Sequence, residues 1–146
     1  MQKFVLITFV FVLFFVNNHQ QPQLNFDGQY TFYTKSCPQI DEKFEKNGNL
    51  YMVTCDSKKS SQTKAKLKNI VGESVRFEGD EQDFKKAAKQ LGKNIFCYQV
   101  EDIFVIEGFC QYIDGFVISQ NKKINFQIAF DGRYVIVGTP TILSSF

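Results

Sequence analysis

The sequence predicts an α+β fold, an antiparallel β-sheet backed by one or two packed helices. Three observations carry this expectation. Residues 80–92 read as a capped amphipathic helix, the last third alternates short apolar runs with turn residues, and a leader stands apart from the rest of the chain. Two segments follow from this: residues 1–21 as a leader, and residues 22–146 as a single α+β domain. Setting the leader aside leaves about 125 residues, enough to bury a core without metals or dense cross-linking.

The leader opens with a short positive stretch ending at Lys3. Phe4 to Val16 follows, thirteen residues without a charge and with Thr8 as its only polar side chain. That length fits the apolar region of a signal peptide and falls short of the ~20 residues a spanning helix needs. No polar face runs along it, which argues against a buried core helix. The segment from Asn17 to Pro22 is polar but lacks the small-residue cleavage pattern, so a removed signal peptide and an uncleaved anchor both stay open. Either way the expected location is secreted or extracytoplasmic, with membrane contact only through an uncleaved leader.

Residues 29–36 and 50–55 are rich in aromatic and β-branched residues and predict strands. Asn47-Gly48 before the second of them is a hairpin turn signal. Residues 58–71 carry two patterns. Lys64 to Lys68 alternates like a strand, whereas Leu67, Ile70 and Val71 have helical spacing with Gly72 as the residue beyond the helix end. The helix is the preferred reading there. Residues 74–78 predict a strand.

The clearest helix follows. Asp80 can cap it, Glu81 and Asp83 suit its positive end, Phe84, Ala87, Ala88 and Leu91 share one face, and Gly92 closes it. Strands are then expected at 103–106, 116–118, 124–130 and 134–137. Turns are expected at Asp114-Gly115, Asn121 to Lys123 and Asp131-Gly132. Strict alternation over Ile124-Asn125-Phe126-Gln127-Ile128 predicts one buried and one wet face. Phe-Asp-Gly-x-Tyr occurs at Phe26 and again at Phe130, a hint of internal duplication.

Residues Lys123 to Ala129, followed by Gly138-Thr139-Pro140, with an echo at Gly72 to Val75, give the tail from Val105 onward a likeness. It resembles the C-terminal segment of the YwmB-like family of exported bacterial proteins. Thr141 stands where that family pattern has an aliphatic residue, and this chain is shorter than typical members. The resemblance implies an α+β fold and export. It implies no activity, since fold does not confer function.

Composition narrows the chemistry. The only histidine, His19, lies in or beside the leader, which removes Ser-His and Cys-His nucleophilic catalysis and argues against a catalytic zinc site; no metal site and no cofactor are expected. A formal net charge of +2 lacks the field of a nucleic-acid binder. Cys37, Cys55, Cys97 and Cys110 form no C-x-x-C pair. In an exported domain they are disulfide candidates, 37 with 55 and 97 with 110, the alternative being four buried free thiols.

Glu101, Asp102, Glu107, Asp27, Asp114 and Asp131 are the acid–base candidates, though turn geometry for the Asp residues and wet strand faces for the Glu residues are the preferred account of them. Lys64, Lys66 and Lys68, with Lys85, Lys86 and Lys89, are candidate contacts for an anionic polymer or simply solvated helix faces. Tyr30, Phe32 and Tyr33 read as core.

The functional expectation is therefore an exported, non-enzymatic binding or interaction module at the cell envelope or outside the cell, with an unknown partner there. A carboxylate-dependent hydrolase of envelope glycans and a secreted carrier of a lipid or small ligand are the alternatives. The first needs two carboxyls facing each other across a cleft, the second an internal pocket of a few hundred Å3.

Overall fold

A computed structural model describes residues 22–143; the leader reading falls on residues outside that range. The expected α+β class holds. In chain order the elements are β1 (Gln29–Thr34), β2 (Phe44–Asn47), β3 (Leu50–Asp56), helix α1 (Ser60–Lys66), β4 (Ile70–Glu78), helix α2 (Glu81–Leu91), β5 (Lys93–Val100), β6 (Ile103–Phe109), β7 (Val117–Ser119), β8 (Lys122–Ile124), β9 (Phe126–Phe130) and β10 (Tyr134–Thr139). Eight strands make one sheet in the order β2-β3-β1-β4-β10-β9-β6-β5, with every pairing antiparallel. Strands β7 and β8 form a separate hairpin.

Side chains alternate along a strand, so the register sorts them onto two faces. Tyr30 opposite Val75, Phe32 opposite Val53, Val137 opposite Val75 and Ile106 opposite Ile128 line up one apolar face across the sheet. Helix α2 covers it with Phe84, Ala87 and Ala88, and Phe84 stacks on Phe130 with ring centroids 5.8 Å apart. Leu24, Leu67, Cys110 and Ile113 extend the same core.

Helix α2 forms as its sequence dictates. The Asp80 carboxylate accepts from the Gln82 and Asp83 amides at 2.8 and 3.0 Å, and Asp83 reaches back to the Asp80 amide at 3.1 Å. This closes a reciprocal capping box. Gly92 ends the helix at φ 148°, a conformation side chains avoid.

Residues 58–78 depart from the expected organisation. Helix α1 is only seven residues long, and Ile70, Val71 and Gly72 belong to strand β4. The helix buries Ser60, Thr63, Lys64 and then Leu67, a stripe at helical spacing that is mostly polar. An apolar search misses such a stripe and takes Leu67, Ile70 and Val71 instead. Gly72 serves close packing, because a Cβ there would lie 2.9 Å from the Thr139 carbonyl oxygen. The hairpin turn at residue 48 exists, but its loop is Gly48-Asn49, since Asn47 pairs with Leu50. Strands β2 and β5 were not expected, and the turn expected at Asn121 to Lys123 is instead Gln120-Asn121, with Lys122 and Lys123 opening β8 opposite Ser119 and Ile118.

Asn125 also corrects the alternation reading. It is fully buried instead of wet. Its side chain accepts from the Cys110 amide at 2.7 Å and donates to the Cys110 and Ile113 carbonyls at 2.8 and 2.9 Å. The chain leaves the ladder between β8 and β9, and the amide replaces the lost backbone partners of the 110–113 turn.

The cap sets a testable pH dependence. The backbone amides of Asp83 and Gln82 hold the Asp80 carboxyl below its ordinary value. A lowered folded value means its contribution is present above the unfolded carboxylate range near pH 4 and fades as pH falls through the folded value. Asp80→Ala should lower the thermal midpoint at neutral pH, Asp80→Asn should keep most of it, and the gap between wild type and Asp80→Ala should narrow as pH falls below the ordinary carboxylate range.

Candidate functional site

The chemistry-bearing residues converge where β4 begins and β10 ends. A cleft of about 600 Å3 opens there, lined by Gln23, Lys64, Glu73, Asp114, Thr139 and Pro140, with apolar walls from Leu67, Ile70 and Phe116. Helix α1 supplies Lys64, strand β4 supplies Glu73, and strand β10 supplies Thr139, which lies directly opposite Glu73.

Lys64 and Glu73 form a buried ion pair with Nζ 2.9 Å from Oε2 and side-chain exposures of 6% and 2%. The second Glu73 oxygen accepts the Leu24 amide at 2.8 Å, which ties the segment before β1 to the sheet. Removing two charges from water is costly, and their attraction offsets this only with good geometry and satisfied remaining groups. Both carboxylate oxygens are satisfied here. Thr139 is different: its residue is 1% exposed and its hydroxyl has no hydrogen-bond partner among the described residues. Buried hydroxyls are almost always paired; the Thr63 hydroxyl of α1 shares this state, but of the two residues only Thr139 lines the cleft.

The mouth is built from loops. Gln23 accepts the Asp114 amide at 2.6 Å, joining the N-terminal segment to the turn at Gly115. Gly115 sits at φ 78°, which supports the Asp-Gly turn read from the sequence. Phe116 is half exposed on the rim, with the Lys123 ammonium 4.3 Å from its ring centroid.

The other candidate acids have separate duties. Asp131 accepts the Arg133 and Tyr134 amides at 2.9 and 2.7 Å, which shape the turn before β10 and hold its carboxyl below its ordinary value, the Tyr134 amide most of all. Asp27, at the equivalent place in the first Phe-Asp-Gly-x-Tyr copy, instead accepts the Ser57 hydroxyl. Glu107 is buried on the opposite sheet face and accepts from Tyr98, Ser119 and Gln127 at 3.0, 2.8 and 3.1 Å. Glu101 and Asp102 occupy the β5–β6 turn. Of the six, only Asp114 lines the cleft, and its partner carboxylate there is Glu73, which was not among the candidates.

The six lysines do not form one solvated face. Lys64 is inside the cleft wall, which removes it from any surface contact with a polymer. Lys66 pairs with Glu42 at 3.7 Å, Lys85 with Glu81 at 2.6 Å and Lys86 with Asp83 at 3.8 Å. Lys68 and Lys89 are exposed. Tyr30, Phe32 and Tyr33 are core, as read. Burial pushes the Tyr30 phenol up, and its hydroxyl donates to the Leu24 carbonyl at 2.8 Å.

The expected disulfides are absent: all four cysteines are free thiols. Cys55 lies opposite Tyr30 near the start of β1, whereas Cys37 follows the far end of that strand, beyond the Thr34–Tyr51 pair. Cys97 lies opposite Ile106, and Cys110 follows the end of β6. In neither pair do the two cysteines face each other across a ladder, so the local pairing expected from the sequence does not form. Nor are all four buried: Cys55 and Cys110 are in the core, while Cys37 and Cys97 are exposed. Among the described residues no three His, Cys, Asp or Glu side chains gather as metal ligands, and no helix is long and apolar enough to cross a membrane. No family model, curated protein or solved structure matches the chain.

Two outcomes test this geometry. Lys64→Met should cost about 3–5 kcal/mol in chemical denaturation by stranding Glu73, and Lys64→Met with Glu73→Leu should recover most of that loss. In timed thiol labelling of the native protein, Cys37 and Cys97 should react quickly. Cys55 and Cys110 should react only on unfolding, Cys55 the more so because burial pushes its thiol up.

Proposed function

We propose that the protein is an exported, non-enzymatic binding module that acts outside the cytoplasm, and that its ligand site is the cleft over Lys64, Glu73 and Thr139. Export rests on the uncharged apolar run from Phe4 to Val16 behind Lys3. Binding rests on one observation above all, the buried Thr139 hydroxyl that lacks a partner on the cleft wall. The cleft volume is in the range of small-molecule sites. Lys64, Glu73 and Thr139 on its wall are buried, whereas the apolar Phe116, Ile70 and Pro140 beside them are partly exposed, which suits a small amphiphile with a hydrogen-bonding head.

The hydrolase reading has less support. Glu73 and Asp114 line the same cleft, but both Glu73 oxygens are committed to Lys64 and the Leu24 amide, so Glu73 is poorly placed to deliver a proton. A polymer-binding surface is weakened by the acidic partners of Lys66, Lys85 and Lys86.

Thr139→Val is the discriminating variant. It keeps the shape and removes a buried hydroxyl without a partner, so the thermal midpoint should hold or rise. Affinity for a lysophosphatidylcholine probe, measured by titration calorimetry, should fall by about twofold to tenfold, the worth of one hydrogen bond. Equal probe binding by both proteins, or a loss of stability in the variant, would place the hydroxyl in a purely structural role and remove the support for this site.

A further inference from the structure

The two edges of the sheet are built differently. Strand β2 closes one edge with four exposed residues, Phe44-Glu45-Lys46-Asn47, short and charged at its centre. Such an edge resists pairing with another chain. Strand β5 closes the other with eight residues, Lys93 to Val100, in which Lys93 is the only charge. Its bulge, between Asn94 and Phe96, lies near one end and leaves Phe96 to Val100 regular. Tyr98 is 39% and Val100 54% exposed, and Phe104 on the neighbouring strand is 46% exposed. A long edge with exposed apolar side chains and free backbone groups is a template for one more strand.

We infer that β5 pairs with β5 of a second copy of this chain, antiparallel about a two-fold axis near Cys97, joining two sheets edge to edge. The sequence of the strand is self-complementary in that arrangement. Its Lys93 end meets the partner's Glu101-Asp102 turn, and by symmetry this contact forms twice. Opposite charges across a strand pair favour it, and like charges would oppose it. Phe96 meets Tyr98 of the other copy on one face, an aromatic cross-strand pair. The two Cys97 side chains meet on the other face at the axis. Edge pairing over one strand buries less than a standard interface, so the dimer is concentration-dependent.

Cys97 supplies the reporter. In protein recovered from its own host, dioxygen with copper phenanthroline should couple two Cys97 thiols into one disulfide, each thiol losing a proton and the oxidant taking two electrons. A reducible species of doubled mass should appear, vanish in Cys97→Ser, and drop about tenfold in yield in Glu101→Lys through like-charge contacts with Lys93. Lys93→Glu combined with Glu101→Lys should restore it. Sedimentation of unoxidised protein should show a dimer that Val100→Lys, at a half-exposed position, converts to monomer with an unchanged thermal midpoint. A monomer at every concentration, coupling through Cys37, a dimer indifferent to both charge variants, or a species whose mass is not twice the chain would each overturn self-pairing. The last of these would assign the edge to a different protein.

Discussion

One buried carboxylate organises the functional end of this fold. Glu73 sits at the middle of the sheet, holds Lys64 of α1 on one oxygen and the Leu24 amide on the other, and lies opposite Thr139. A seven-residue helix is far too short to stand alone in water, so α1 exists because its buried stripe docks. That stripe is mostly polar. Remove the carboxylate and the buried Lys64 ammonium loses its ion-pair partner, while the segment before β1 loses its Leu24 tie to the sheet. An apolar pair of similar volume could hold the helix at least as well. A charge pair and an unpartnered hydroxyl beside the cleft are the groups that the proposed recognition of a polar ligand head would use.

What the sequence disclosed and what it hid follow from how each element is stabilised. Helix α2 was legible end to end because its cap, apolar face and closing glycine are local signals. Strands β1, β3, β6, β9 and β10 were legible because they are buried on at least one face and so carry β-branched and aromatic runs. Strand β5 lies at the edge, with six of its eight residues exposed, so its composition has no burial to reflect. Strand β2 is exposed along its whole length and charged at its centre for the same reason. Residues 58–78 misled because the stripe that docks α1 is Ser60, Thr63 and Lys64, residue types that normally mark a wet face.

The repeated Phe-Asp-Gly-x-Tyr shows how little a short motif fixes. Both copies lead into strands that flank β4, and both strands pair with it antiparallel. Past the turn the likeness ends. Tyr30 is buried with its hydroxyl bonded to backbone carbonyls, whereas Tyr134 faces outward with the Arg76 guanidinium 3.7 Å from its ring centroid. Asp131 folds its own loop, while Asp27 reaches across to Ser57. The site was hidden for a related reason. Glu73, Lys64 and Thr139 come from three distant stretches, and only the register of β4 against β10 and the docking of α1 bring them together.

Cleft and edge are compatible because the sheet separates them. The cleft stands over β4 and β10, and β9 and β6 lie between these and β5. At about 4.8 Å per strand the edge is some 14 Å from β10. A second sheet joined at β5 would extend the molecule sideways and leave the mouth at Gln23, Asp114 and Phe116 uncovered. Each copy would keep its own site, formed wholly from its own residues. Binding and pairing would then be energetically independent unless the turn at 110–116 moved, since that stretch alone runs from the end of β6, next to the edge strand, to the cleft rim. Asn125 opposes such movement by holding the Cys110 amide and carbonyl and the Ile113 carbonyl with one side chain. A rigid link of this kind keeps the rim shape constant whether or not the edge is occupied.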